Sequence, residues 1–143
     1  MAIVGFNFDK ILVEKTGPIN KGVQVKNNMS IKNVEEQELI MGEKKEYVLK
    51  FSFEFSSVYS PKIGKVAIDG HILFLQDKAG VKKIMDGWKK KKNVPNDIAT
   101  VILNAVLMKC NVKALVLSQD VNLPPHIRLP TISPKNKAND YIG

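Results

Sequence analysis

Tyr47-Val48-Leu49-Lys50-Phe51-Ser52-Phe53-Glu54-Phe55-Ser56-Ser57-Val58-Tyr59 alternates more cleanly than any other stretch of the chain. Tyr47, Leu49, Phe51, Phe53, Phe55 and Tyr59 share one parity, and Lys50, Ser52, Glu54 and Ser56 share the other. Successive side chains of a strand point to opposite faces, so this stretch predicts a half-buried strand whose inner face is aromatic. Ser60-Pro61-Lys62-Ile63-Gly64 supplies turn residues directly after it. Lys65 to Gln76 then reads as the returning strand, with Val66, Ile68, Ile72 and Phe74 on one face and Ala67, Asp69, His71, Leu73 and Leu75 on the other.

Towards the N-terminus, Val23 to Val34 places Val23, Val25, Met29 and Ile31 on one face, with Asn27 the exception among them. Between that strand and Tyr47, residues Glu35 to Glu46 carry five Glu against two Lys around Gly42, and are expected to form a charged connection. Ile3 to Lys15 is a further strand, with Val4, Phe6 and Phe8 on one face and Ile11 and Val13 on the other. The parity breaks near Asp9-Lys10, which predicts a bulge. Thr16 to Gly22 is a turn. Strands joined by connections too short for crossover helices form an antiparallel meander.

Beyond Gln76 the period changes. Val81, Ile84, Met85 and Trp88 follow helical spacing, Asp77 is placed as an N-cap, and Lys89 to Lys92 close the helix where cations suit its C-terminus. A second helix is expected from about Pro95 to about Lys109, with Ile98, Val101, Ile102, Ala105, Val106, Leu107 and Met108 covering more than half of its circumference. Its breadth calls for two apolar neighbours rather than one. Ala114 to Leu117 is a short apolar stretch, and Val121 to Pro130 is a proline-fixed extended segment. The fold class is therefore α+β: a four-stranded antiparallel sheet with two helices packed on one face. Residues 1–132 are expected to form one domain, and the polar residues 133–143 a mobile tail.

Composition sets the function classes. The chain has 143 residues, 44% of them hydrophobic, and 22 Lys+Arg against 14 Asp+Glu give a net charge of +8. Every cation but Arg128 is Lys, whereas phosphate-reading sites favour the bidentate Arg fork. A single Cys, Cys110, excludes an internal disulfide and a Cys-based zinc site within one chain, and points to a reducing compartment. The N-terminus shows no signal-peptide pattern, and Ile98 to Leu117 is interrupted by Asn104, Lys109, Asn111 and Lys113, so a cytoplasmic location without membrane insertion is expected.

Catalytic chemistry finds little footing. His71 and His126 are the two histidines, and neither has a nucleophile, carboxylate or metal-ligand partner at a recognisable spacing. The Gly/Lys turns lack phosphate-loop spacing. No enzyme activity, metal or cofactor is expected; an enzyme with an unrecognised site at His71 or His126 is the last alternative. Lys78, Lys82, Lys83 and Lys89 to Lys92 against Asp86 concentrate +6 of the +8 in 15 residues. A nucleic-acid-binding module using Lys82, Lys83, Lys89, Lys90, Lys91 and Lys92, with Trp88 as a stacking partner, is the second alternative.

The order of elements, four antiparallel strands, helix and extended Leu-rich segment, resembles the bacterial export chaperone SecB family. Leu115, Leu117, Val121 and Asn122 match that family's Leu-x-Leu-x-Pro-Val-Asn-Phe pattern, with one residue inserted and the Pro absent. The lysine-rich, arginine-poor composition is similar to that of small archaeal proteins. The resemblance implies a homotetramer built as a dimer of dimers that binds unfolded hydrophobic polypeptide without ATP. The leading expectation is accordingly a chaperone-like homo-oligomer. Phe51, Phe53, Phe55, Tyr59 and Phe74 are expected to contact extended peptide, and Val101 and Leu107 to line the groove or the subunit interface.

Overall fold

A computed structural model describes residues 2–19, 22–135 and 138–142. Four strands, β1 (Ala2–Lys15), β2 (Gln24–Met41), β3 (Lys44–Ser60) and β4 (Gly64–Leu75), precede helices α1 (Lys78–Lys91) and α2 (Asn96–Asp120). All strand pairs are antiparallel, and both helices contribute to a single apolar core on one face of the sheet. The α+β class read from the sequence stands.

The strand order is β1-β4-β3-β2, so only β2, β3 and β4 form a meander. β1 pairs with β4, and the link after it crosses to the far edge of the sheet. The crossing is anchored at the β3–β4 turn: the backbone N–H groups of Thr16 and Gly17 donate to the Ile63 carbonyl at 2.8 and 3.3 Å, and the Thr16 hydroxyl to the Lys62 carbonyl at 2.9 Å. Gly17 passes so close that a Cβ there would stand 2.8 Å from the Lys62 oxygen. Of this link, Asn20 and Lys21 lie outside the described residues. Short links could not reveal this order, because a sequence of turns says which strands are consecutive, not which are neighbours. The parity break in β1 is a bulge: the register shifts between Phe8 and Lys10.

Two boundaries move. The acidic stretch 35–46 is the end of a hairpin rather than a long loop, because β2 and β3 stay paired from Gln24↔Ser60 to Met41↔Lys44, with one register shift between Ile31 and Asn33, around a tight turn at Gly42–Glu43, where Gly42 has a φ of +68°. β4 pairs with β3 only from Val48 onwards, so the end of this hairpin projects as a two-stranded ribbon. Mostly exposed polar side chains there leave no apolar alternation to read, and cross-strand pairs such as Lys45–Glu38 at 3.7 Å replace it. α2 continues to Asp120, not Lys109. Ala114, Leu117 and Ser118 extend the buried row of Ile102, Val106 and Cys110 at helical spacing, and that row holds the helix on the sheet. α1 begins as expected, with the Asp77 carboxylate accepting from the Gly80 N–H at 2.6 Å.

The core rests on the inward parity of β3 and β4. Leu49, Phe51, Phe53, Val66, Ile68 and Ile72 are sealed beneath Val81, Ile84 and Trp88 of α1 and Ile102, Val106 and Cys110 of α2. Each such aliphatic or aromatic side chain contributes about 1.5–3 kcal/mol by leaving water. Gly70 interrupts the inward row of β4 for a steric reason: a Cβ there would meet the Asn7 carbonyl oxygen and stand 2.6 Å from the Phe53 ring. The space belongs to Phe53, which packs on Phe6 with ring centroids 5.2 Å apart. Of the C-terminal segment, residues 136, 137 and 143 lie outside the described residues, and Ala138–Tyr141 form an exposed 3-10 turn. Gly70→Ala should overpack this layer and cost about 1–3 kcal/mol of stability, read as a lower urea midpoint with an unchanged slope.

Candidate functional site

The sequence singled out five aromatic residues of the sheet, and the structure brings them together as a continuous floor. Phe51 and Phe74 pack edge to face with centroids 6.2 Å apart. All five are closed off: Phe51, Phe53, Phe55, Tyr59 and Phe74 are at most 4% exposed. They do not line a groove open to solvent, because helices and chain cover the face that their alternation makes apolar.

The cover changes along the floor. Over Phe55 and Tyr59 it includes the segment that leaves α2, residues 121–128, termed the strap. After Asn122, whose φ of 60° turns the chain away from the helix, the Leu123 N–H returns to the Ser118 carbonyl at 2.8 Å. Leu123 and His126 are both 4% exposed, while Pro125 and Arg128 face solvent. The His126 ring packs edge-on against Phe55 with centroids 5.8 Å apart.

Polar groups of the floor hold the strap by its main chain. The Tyr59 hydroxyl donates to the Pro124 carbonyl at 2.6 Å, and the Asn27 side-chain N–H donates to the His126 carbonyl at 3.0 Å. Asn27 is oriented by the Ser57 hydroxyl, which donates to its side-chain oxygen at 2.6 Å. Asn27 is a polar residue set between Val25 and Met29 in the apolar parity of β2, and Ser57 occupies the inward parity of β3 between Phe55 and Tyr59. Those two interruptions were the available sequence signal for this network, which apolar periodicity alone passes over. Burial holds the Tyr59 phenol above its ordinary pKa of 10.0, with the Ser118 side chain acting in the opposite direction, so the hydroxyl remains a donor.

On the imidazole of His126, Nε2 lies 2.8 Å from the Asn111 side-chain oxygen, which makes it the protonated nitrogen. Nδ1 is buried with no hydrogen-bond partner among the described residues. Protonation would place a charge where no described residue accepts from Nδ1, and burial lowers the His126 pKa below its ordinary value of 6.5.

A second surface lies on the opposite side of α2. Val101 is 49% exposed, Leu107 39%, Met108 70%, Val112 62% and Val116 49%. At 100° per residue, Val101, Met108, Val112 and Val116 form one outward stripe, with Leu107 on the other flank of the helix. Phe8 of β1 faces Met108, Val112 and Val116 across an apolar depression of about 390 Å³, bordered by Lys109 and Lys113. By length and composition α2 meets the requirements of a membrane span despite its polar residues, but its other side is the core row described above. Burial raises the Cys110 thiol to about 12, which leaves it unreactive.

The remaining candidates lie apart from both surfaces. Lys82, Lys83, Lys89, Lys90, Lys91 and Lys92 are exposed on α1 and its C-cap, and none forms an ion pair among the described residues. Trp88 is only 8% exposed and packs into the core, with the Lys92 ammonium 5.1 Å from its ring centroid. It offers no stacking platform to a base. On the sheet face away from the helices, His71 Nδ1 lies 2.7 Å from the Asp9 carboxylate, and Nε2 is 3.3 Å from the Asn7 side-chain nitrogen. No group of three metal-capable side chains occurs among the described residues.

The pH response of the strap follows from His126. Its native pKa is depressed, so below about 6.5 the unfolded chain binds the proton more readily than the folded one. Stability is expected to be full above 6.5 and to fall as pH drops towards the native value; a His126→Gln variant should lose that part of the urea-midpoint pH profile.

No family model matches the chain, and no curated protein matches it in sequence. Among solved structures, it is similar to a SecB-like chaperone of Mycobacterium tuberculosis, Rv1957, determined in complex with a ChAD peptide from the Rv1956 HigA1 antitoxin. The TM-score is 0.55 at 10% sequence identity, over 92% of this chain and 90% of that one. At this identity the likeness is one of fold: the four-stranded antiparallel sheet and two helices are arranged as in a SecB-like chaperone.

Proposed function

We propose that the protein is an ATP-independent, cytoplasmic holdase: a homo-oligomer that binds extended hydrophobic segments of unfolded polypeptide and uses no cofactor. The observation that carries this reading is the outward face of α2, where Val101, Met108, Val112 and Val116 stand in water on a fold shared with a SecB-like chaperone. Contiguous apolar surface on a soluble protein marks a place of association. Val101 and Leu107, extended by Met108, Val112 and Val116, are assigned to contact between subunits. The Phe55–Tyr59 end of the aromatic floor, where a non-helical strap contributes the cover, is assigned to the client, and Phe51, Phe53 and Phe74 support it from beneath the helices.

Holding needs no energy source. A binder that takes the unfolded chain out of solution lowers its free concentration by mass action, and aggregation slows accordingly. At one oligomer per client, the protein should suppress light scattering by a chemically denatured test protein diluted from denaturant. No suppression at that ratio refutes the reading. A Val101→Asp/Met108→Asp double variant places charges in the proposed subunit contact and should elute as a smaller species by size-exclusion chromatography with light scattering; an unchanged mass removes α2 from the interface.

A second reading, binding of nucleic acid by α1, is favoured by the lysine face that carries no ion pair among the described residues. It expects affinity for a single-stranded oligonucleotide to fall steeply with salt, because phosphate contacts release counterions. Changing Lys89 to Lys92 to Glu should abolish such binding while leaving aggregation suppression intact.

A further inference from the structure

We propose that the strap is a ligand held in cis: Leu123–His126 occupies the cradle that receives an extended polypeptide segment, and a client binds by displacing it. The inference rests on the holdase reading and adds to it the recognition chemistry of the site and its regulation.

The contacts of the strap are those expected for a bound peptide. Its two main-chain anchors, the carbonyls of Pro124 and His126, each accept from a side chain of the sheet, Tyr59 or Asn27. Main-chain recognition ignores sequence, as a binder of many different segments requires. Two side chains point inward, Leu123 and His126, and Pro125 between them points out. Pro124 and Pro125 hold the backbone near the bound shape and bring no N–H groups that would need partners.

The occupant also fits imperfectly. Buried polar atoms in folded proteins almost always have a partner, yet His126 Nδ1 has none among the described residues. A phenylalanine or leucine in the same pocket, against the ring of Phe55, would strand no nitrogen, and the half-buried Asn111 side chain that loses its His126 partner can still reach water. The cradle is thus matched to a segment with apolar side chains three residues apart, the second preferably aromatic, and its resident is a weaker version of that ligand. Because only the strap-free fraction can bind, apparent client affinity is reduced by the occupancy of the strap.

The test uses the full chain and a soluble, fluorescently labelled decapeptide carrying Leu and Phe three residues apart. His126→Ala, verified as folded by its thermal transition, should bind the probe about tenfold tighter than the unaltered protein, as expected when a competing occupant is weakened. A second readout needs no variant. Arg128 is the only arginine in the chain, so an arginine-specific protease reports the end of the strap alone. Saturating probe should accelerate that cut, and an unlabelled peptide of residues 121–130 in excess should displace the probe. Equal or weaker binding by folded His126→Ala, or probe that leaves cleavage unchanged or slows it, overturns the strap as occupant while leaving the holdase reading in place. Absence of both probe binding and aggregation suppression in the unaltered protein overturns both.

Discussion

The structure depends on covering one face of β3. Its alternation sets Leu49, Phe51, Phe53, Phe55 and Tyr59 on the same side of a strand that lies inside the sheet, and β4 adds Val66, Ile68, Ile72 and Phe74 beside them. So much aromatic and aliphatic surface is costly in water, and a single layer cannot hide it. α1 and α2 supply the cover through Val81, Ile84 and Trp88 and through the buried row from Ile102 to Leu117. Even the backbone yields to this packing: Gly70 lacks a side chain where the Phe53 ring needs the room.

At the Phe55–Tyr59 end the chemistry differs from the rest of the layer. Asn27, Ser57, Tyr59 and Asn111 place four hydrogen-bonding side chains in or beside an apolar surface, and each is satisfied through the strap or through another member of the group. A polar network in such a place stays stable only if its members remain paired. The strap therefore depends on a few directional bonds, together with Leu123 and the His126 ring, whereas the helices depend on a larger apolar contact. Any opening of the floor is easier at this end than beneath either helix.

The two helices divide the surface. α2 is apolar on both sides, one serving the core and the other still facing water. α1 is amphipathic, and its lysines account for most of the excess positive charge, while the projecting β2–β3 ribbon is acidic. Charge is thereby kept off the outward stripe of α2, apart from Lys109 and Lys113 at the border of the Phe8 depression.

Local rules of the chain specify the elements that have an apolar period or an end group to satisfy: the aromatic strand 47–59, its returning partner, the bulge near Asp9, the Asp77 cap and the start of α2. Each follows from a local rule, side-chain alternation or end-group satisfaction, that needs no knowledge of neighbours. Packing across the fold is what pairs β1 with β4, carries β2 and β3 through 35–46 as the two arms of a hairpin with mostly exposed faces, and extends α2 to Asp120. The same holds for the candidate site. Alternation identified Phe51, Phe53, Phe55, Tyr59 and Phe74 as one face, but whether that face is a groove or a buried floor depends on what packs over it. The strap lies 99 residues from Asn27 and 65 from Tyr59 in the chain. Contacts over such separations arise from the closing of the fold; Asn27 and Ser57 mark polar positions in an apolar parity, but no local pattern names their partners.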